Sequence, residues 1–287
     1  MSILKSDLNI GSNRDRLIVS LVCVLLTIVY SPNGYSNEHT MDAGNAFTLG
    51  IIPQQSGKKI RALWNPLIKH IHKQTNYPIH LSGSPNIPVF ENRLFTGKFD
   101  FAYVNPRLFL EANKHVGYQP ILRESNKKLK GIIVVAKDSR FKTIQELDGS
   151  HFVSPRGAFA ASALTRINLH SLKLNVKNSF VDTHTQGYFF VANGNADAAG
   201  GVLRTFNSLQ QKLKDKLRIL WTTKGVTPHA FIIHPRVNVK VKQRILNAIV
   251  NFKDTSEGND FYKALRINPF IEAKSKDWND IRELMGY

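Results

Sequence analysis

Residues 182–204 read DTHTQGYFFVANGNADAAGGVLR. A polar turn, Asp182 to Gln186, leads into the apolar run Tyr188 to Ala192. Asn193-Gly194-Asn195 is a turn signal. The small residues from Ala196 to Gly201 then read as a buried strand end. A phrase of the same kind stands earlier: Gly97-Lys98-Phe99-Asp100-Phe101-Ala102, followed by Tyr103-Val104-Asn105-Pro106. Both contain Gly-x-x-Asp-x-Ala, a helix that stops at Gly and a strand that begins with Asp. Two such units predict two similarly built lobes.

Working outward, Phe47 to Ile52 is a short apolar strand ending at Pro53. Lys58 to Thr75 carries apolar residues at Ile60, Leu63, Trp64, Leu67, Ile68 and Ile71, which is helical spacing. Tyr77 to Leu81 is a strand, Ser82 to Asn86 a loop, and Pro88 to Phe95 a helix with Pro88 in its first turn. Phe99 to Val104 is a strand, and Asn105 is a natural cap for the helix opening at Pro106. Alternating strands and helices of this kind predict an α/β fold with mostly parallel sheets. Ile132 to Ala136 is a fully apolar strand. A second series opens at His151, with a helix from Ala158 to Ile167, strands near Asn178 to Val181 and Ala196 to Ala199, and further strands at Leu217 and Ala230. The tail is helical.

The break between the series falls near Lys137, and a return crossing is expected in the polar, Gly- and Pro-containing stretch 223–228. The expected first lobe is therefore discontinuous, 46–136 plus 229–287. The second is 139–222, and the crossings are 137–138 and 223–228. Ligands of open α/β sheets sit beyond the carboxyl ends of the strands. That places the candidate loops after the strands, at Pro53, Ser82–Asn86, Asn105, Ser154, Asp182 and Gly200.

The chain has 287 residues and a hydrophobic content of 42%, enough for a substantial core. Arg14 and Arg16 precede the apolar run Leu17 to Tyr30, and Ser31-Pro32-Asn33-Gly34 breaks it. Small residues at Gly34 and Ser36 complete the pattern of a secretory signal over residues 1–36. A retained anchor is the alternative, but the run is short for a span of roughly 20 residues. Cys23, the only cysteine, lies inside that run. A mature chain starting after it has no disulfide, no thiolate nucleophile and no cysteine metal site. The formal net charge is +18. Removing residues 1–36 takes away Lys5, Arg14 and Arg16 against Asp7 and Asp15, which leaves +17. Such a field draws in anions. An exported protein does not meet nucleic acid, so none is expected as a partner. No cofactor motif, metal-ligand spacing or nucleophile motif occurs, and no enzyme is expected.

The chain resembles the phosphate/phosphite/phosphonate group of periplasmic solute-binding proteins, the receptors of ABC importers. The resemblance runs from about residue 47 to about 270. It rests on the order of Leu63-Trp64-Asn65-Pro66-Leu67, Gly97-x-x-Asp100-x-Ala102, Ile133 to Ser139, Leu147-Asp148-Gly149, His184-Thr185-Gln186 and Val191 to Ala198. It implies a two-lobed periplasmic-binding-protein fold that closes on a ligand like a hinge.

The departures from the family pattern shape the expected site. Phosphonate binders cradle the oxyanion with a Ser-Thr-Ser-Gly run opening a helix. Here that position holds Gly157-Ala158-Phe159-Ala160, without hydroxyls and with the bulk of Phe159. Backbone N–H groups remain, and Arg156 offers a bidentate fork. His184 matches the family's cleft histidine. The two acids that hold a ligand amine fall on Arg204 and His229, which argues against an aminated ligand and suits a second anionic group. Tyr103, Asn105 and Asn86 complete the candidate ligand set. Asn105 reads equally well as a plain helix cap and Trp64 reads as core, while Asp100 and Asp197 read as structural. The expected function is capture of a small anion, phosphonate- or phosphate-like or carboxylated, for an ABC permease. The alternative is sensing, with a membrane histidine kinase as partner. The expected location is the periplasm, with no stable membrane insertion after cleavage.

Overall fold

Each Gly-x-x-Asp-x-Ala phrase does the same work in a different sheet. Gly97 and Gly194 both take positive φ, +68° and +75°, at the stop of a helix. Asp100 then exchanges backbone with the first strand: its N–H donates to the Thr48 carbonyl (3.1 Å), and its carboxylate accepts from the Thr48 N–H (2.8 Å). Asp197 repeats this with His151, at 3.0 and 2.8 Å. The two aspartates start their strands in register, as the sequence reading of both as structural requires.

The computed structural model describes residues 46–287. The expected signal segment 1–36 lies outside the described residues. No helix among the described residues is long and apolar enough to cross a membrane.

Two mixed sheets form one compact unit with flanking helices. The first holds β1 (Phe47–Ile51), β2 (Ile79–Leu81), β3 (Phe101–Val104), β4 (Gln119–Glu124), β10 (Ala230–Ile233) and β11 (Phe270–Glu272), in the order β11-β4-β10-β3-β1-β2. The second holds β5 (Ile132–Ala136), β6 (His151–Pro155), β7 (Lys177–Val181), β8 (Ala198–Gly201) and β9 (Leu217–Thr222), in the order β7-β6-β8-β5-β9. The β2-β1-β3 and β7-β6-β8 portions are parallel. The strands returning from the other lobe, β10 and β5, run antiparallel to their neighbours, because a chain that crosses back enters from the opposite end.

The lobe boundary differs from the expected one. Ile132–Ala136 pairs with β8 and β9, so it belongs to the second sheet and not to a first lobe ending at 136. The first crossing therefore lies between Glu124 and Ile132, not at 137–138. The apolarity of this strand did not reveal its sheet, since a central strand of either sheet, such as β8 or β10, is buried along its whole length. The return crossing lies between Thr222 and Ala230. The two crossings pair: Leu129 and Val226 exchange both backbone hydrogen bonds, at 2.7 and 3.0 Å.

Helix α1 (Gly57–Thr75) is capped by Ser56, buries Ile60, Trp64, Leu67 and Ile71 along one stripe, and stops at Asn76 in the left-handed region. Each such side chain taken fully from water contributes roughly 1.5–3 kcal/mol. Helices α2 (Ile87–Phe95) and α3 (Pro106–Val116) are capped by Asn86 and Asn105. In the second lobe a π-helical segment, Phe159–Leu164, runs straight into α4 (Thr165–Ser171). Then come α5 (His184–Ala192), α6 (Leu203–Asn207) and α7 (Gln211–Lys214). The tail supplies α8 (Val239–Asn251), α9 (Ser256–Leu265) and α10 (Asn279–Met285).

The π-helical segment is held by glycines. The carbonyl of Ala161 lies where a Cβ on Gly200 would sit, at 1.9 Å, and that of Ala160 does the same at Gly131, at 2.2 Å. Only glycine lets this backbone approach the sheet so closely.

Candidate functional site

Tyr103 is the next-to-last residue of β3 and packs against the first lobe's core. Its ring stacks on His229, with centroids 5.4 Å apart and planes at 21°, and meets Trp64 at 5.0 Å. Trp64 is 3% exposed and packs in the core, yet it also backs this stack. His229 precedes β10 directly. The strand pairing of β10 with β3 therefore brings it beside Tyr103, although the two are far apart in sequence.

The second lobe supplies His184 and Arg204. His184 is the first residue of α5, and its Nδ1 is 3.1 Å from the Thr205 hydroxyl. Thr205 also meets the Tyr188 hydroxyl (3.0 Å), and that hydroxyl accepts from the Val202 N–H (3.2 Å). This chain orients α6, which carries Arg204. Gly201 is required here, since a Cβ would lie 1.9 Å from the Tyr188 hydroxyl oxygen. Arg204 itself is exposed, and its Nη1 donates to the Leu265 carbonyl of the first lobe at 3.4 Å.

The electrostatics tie these groups together. Burial, and then the Arg204 charge, lower both His184 and His229 to about 4. Both imidazoles are thus neutral at pH 7. Tyr103 is pushed above its ordinary value by burial first and the Glu124 charge next, with Arg204 opposing. Glu124, 5% exposed at the end of β4, is raised by burial, against the Asn268 N–H, Lys127 and Arg204. Its Oε1 accepts from the Asn268 N–H at 2.7 Å. Arg204 makes no ion pair with any acid among the described residues.

His184, Arg204, His229 and Tyr103 therefore come together. The other candidates are placed otherwise. Asn86 and Asn105 cap helices, each accepting at 3.0 Å through Oδ1. Asn105 is also 1% exposed, and its Nδ2 has no partner among the described residues. Gly157 has φ +72°, and its Cα faces Ile87 of the first lobe. Ala158 precedes the π-helical segment without a side-chain cap. Phe159 is 3% exposed and belongs to the same apolar cluster as Phe90, Leu94 and Val104 of the first lobe. Its bulk is spent on packing between lobes. Arg156 lies over the ring of Phe180.

Sequence reasoning missed Glu124 and Leu265. Glu124 ends a strand that was not predicted, although Pro120-Ile121-Leu122 between Gly117 and Ser125 is a short apolar run of the right kind. Leu265 contributes a main-chain carbonyl, for which no side-chain signal exists. Among the described residues no group of three His, Cys, Asp or Glu side chains gathers as a metal site.

Residues 49–278 match the family model described as the periplasmic substrate-binding protein of the phosphonate ABC transporter. Solved structures share the fold. PhnD1 from Prochlorococcus marinus in complex with methylphosphonate aligns with a TM-score of 0.71 at 17% identity, over 83% of this chain and 96% of that one. A Xanthomonas citri protein bound to ATP aligns with a TM-score of 0.72 at 13% identity, over 84% and 96%. A binding protein component of an ABC phosphonate transporter from Pseudomonas aeruginosa gives 0.68 at 15% identity, over 84% and 85%. At such identities these likenesses speak for the fold alone. No curated protein matches the chain.

Proposed function

The chain belongs to the periplasmic substrate-binding proteins of phosphonate ABC transporters, and from that premise we propose that its cleft captures a small oxyanion through Arg204, His184 and His229. The carrying observation is the unpaired guanidinium of Arg204, set among two neutral imidazoles and the Tyr103 ring. A permanent cation with no acid partner among the described residues, beside two buried imidazoles, is completed by an anionic ligand. The ligand head group is phosphonate- or phosphate-like, or a carboxylate. Neutral imidazoles supply a donor each and take up a proton as the anion arrives.

Family membership places the protein in the periplasm as an importer component, and it lends nothing to the sensing alternative. Export through a cleaved signal over residues 1–36, delivery to an ABC permease, and closure about the paired crossings at Leu129 and Val226 are parts of this proposal.

The test is a thermal-shift and calorimetric screen of the mature chain against methylphosphonate, phosphate, phosphite, alkylsulfonates and dicarboxylates. A ligand that binds only the folded state raises Tm. Stabilisation by one anionic class is the expected result. Stabilisation by neutral or cationic compounds alone would overturn the reading.

A further inference from the structure

Residues 151–181, which form β6, the π-helical segment, α4 and β7, contain no aspartate or glutamate. Within this acid-free unit two arginines share one aromatic ring. The guanidinium carbon of Arg156 lies 4.9 Å from the Phe180 ring centroid, and that of Arg166 lies 5.2 Å from it. Phe180 ends near the carboxyl edge of β7, paired with Ser154, and is 42% exposed. The Arg156 N–H donates to the Val181 carbonyl at 2.9 Å, which fixes that arginine beside the same strand end.

Neither arginine forms an ion pair among the described residues. The Nε of Arg166 is buried and has no hydrogen-bond partner there. Two like charges on one ring repel each other, and the ring's quadrupole compensates them only in part. A guanidinium presents a planar fork that matches an oxyanion bidentately. We propose that Arg156 and Arg166, held on Phe180, form a second anion site at the rim of the second lobe, for a soluble ligand with two oxyanion groups. One group pairs with each fork. The site is distinct from the Arg204 cluster and does not depend on what the cleft binds.

The experiment titrates the mature protein with inorganic pyrophosphate while following the Nε–H signals of Arg156 and Arg166 by nitrogen-15 NMR. Calorimetry is run in parallel on Arg156→Gln, Arg166→Gln, Phe180→Leu and Arg204→Gln. Both signals are expected to shift in the wild type and in Arg204→Gln. Arg156→Gln and Arg166→Gln should each weaken pyrophosphate by about ten-fold or more, and inorganic phosphate, with one group, should bind more weakly than pyrophosphate. Phe180→Leu keeps both charges and should still weaken binding, because the forks lose their common support. Shifts confined to Arg204, or unchanged affinity in Arg156→Gln (an exposed position that should fold normally), would overturn the site. Loss of pyrophosphate binding in Arg204→Gln alone would also overturn it while leaving the cleft reading intact.

Discussion

Arg204 Nη1 donates to the main-chain carbonyl of Leu265 at 3.4 Å, joining α6 to the end of α9. A second bond runs parallel to it, from Arg266 Nη1 to the Ser208 hydroxyl at 3.2 Å. The lobes thus meet through a guanidinium whose remaining donors have no acid to pair with among the described residues. A bond to one carbonyl leaves most of the charge uncompensated.

Arg204→Gln should therefore weaken binding of the anion found in the ligand screen by at least ten-fold, about 1.4 kcal/mol. Because Arg204 is exposed, urea denaturation without ligand should change by no more than about 0.5 kcal/mol. Equal affinity in calorimetry would remove Arg204 from the site.

Acid should destabilise the protein through its histidines. His184, His229 and His234 are lowered from 6.5 to about 4, by burial first and then by Arg204, or by Arg236 in the case of His234. Between those values the unfolded chain binds protons that the folded chain refuses, so stability is complete above about pH 7 and falls as pH drops toward 4. A Tm scan across this range should show the loss, and His229→Gln should flatten it. Anion affinity should move the opposite way and rise as pH falls below neutrality, since a bound anion favours the imidazolium.

Phe159→Ala should cost about 3–5 kcal/mol, the range for emptying a buried phenylalanine site. The side chain belongs to the second lobe's sequence but packs with Phe90, Leu94 and Val104 of the first. Chemical denaturation measures the loss, and small-angle scattering of the folded variant should show a wider mean separation of the lobes. A loss below about 1 kcal/mol would mean that Phe159 is not a core residue.

Gly200→Ala should destabilise by about 1–3 kcal/mol or more, because the new methyl meets the Ala161 carbonyl rather than a movable side chain. Gly194→Ala is the contrast: nothing lies near its Cβ, and only the cost of positive φ remains. Urea midpoints for the two variants should rank in that order.

Much of the fold was legible because local chemistry and tertiary role agree. The apolar stripe of α1 shows helical spacing in the sequence and buries that same face. Gly97 and Gly194 end helices for the backbone reason that makes glycine visible. The lobe boundary was not legible. Ile132–Ala136 is equally apolar in either sheet, and only its pairing with β8 and β9 assigns it. Phe159 looked like an obstacle in the expected cradle because its sequence neighbours belong to the second lobe, while its packing partners belong to the first.

The sequence by itself determined two repeated strand–helix units and a strongly basic chain, and it pointed to His184, Arg204 and His229. Only the tertiary structure decided that the Arg204 charge reaches His184, His229 and Glu124, and that Arg156 lies on Phe180 beside Arg166. The physical reason is distance. Local backbone preferences act over a few residues and leave their mark in sequence spacing. A shared electric field or a shared aromatic ring joins residues whose separation along the chain carries no such mark.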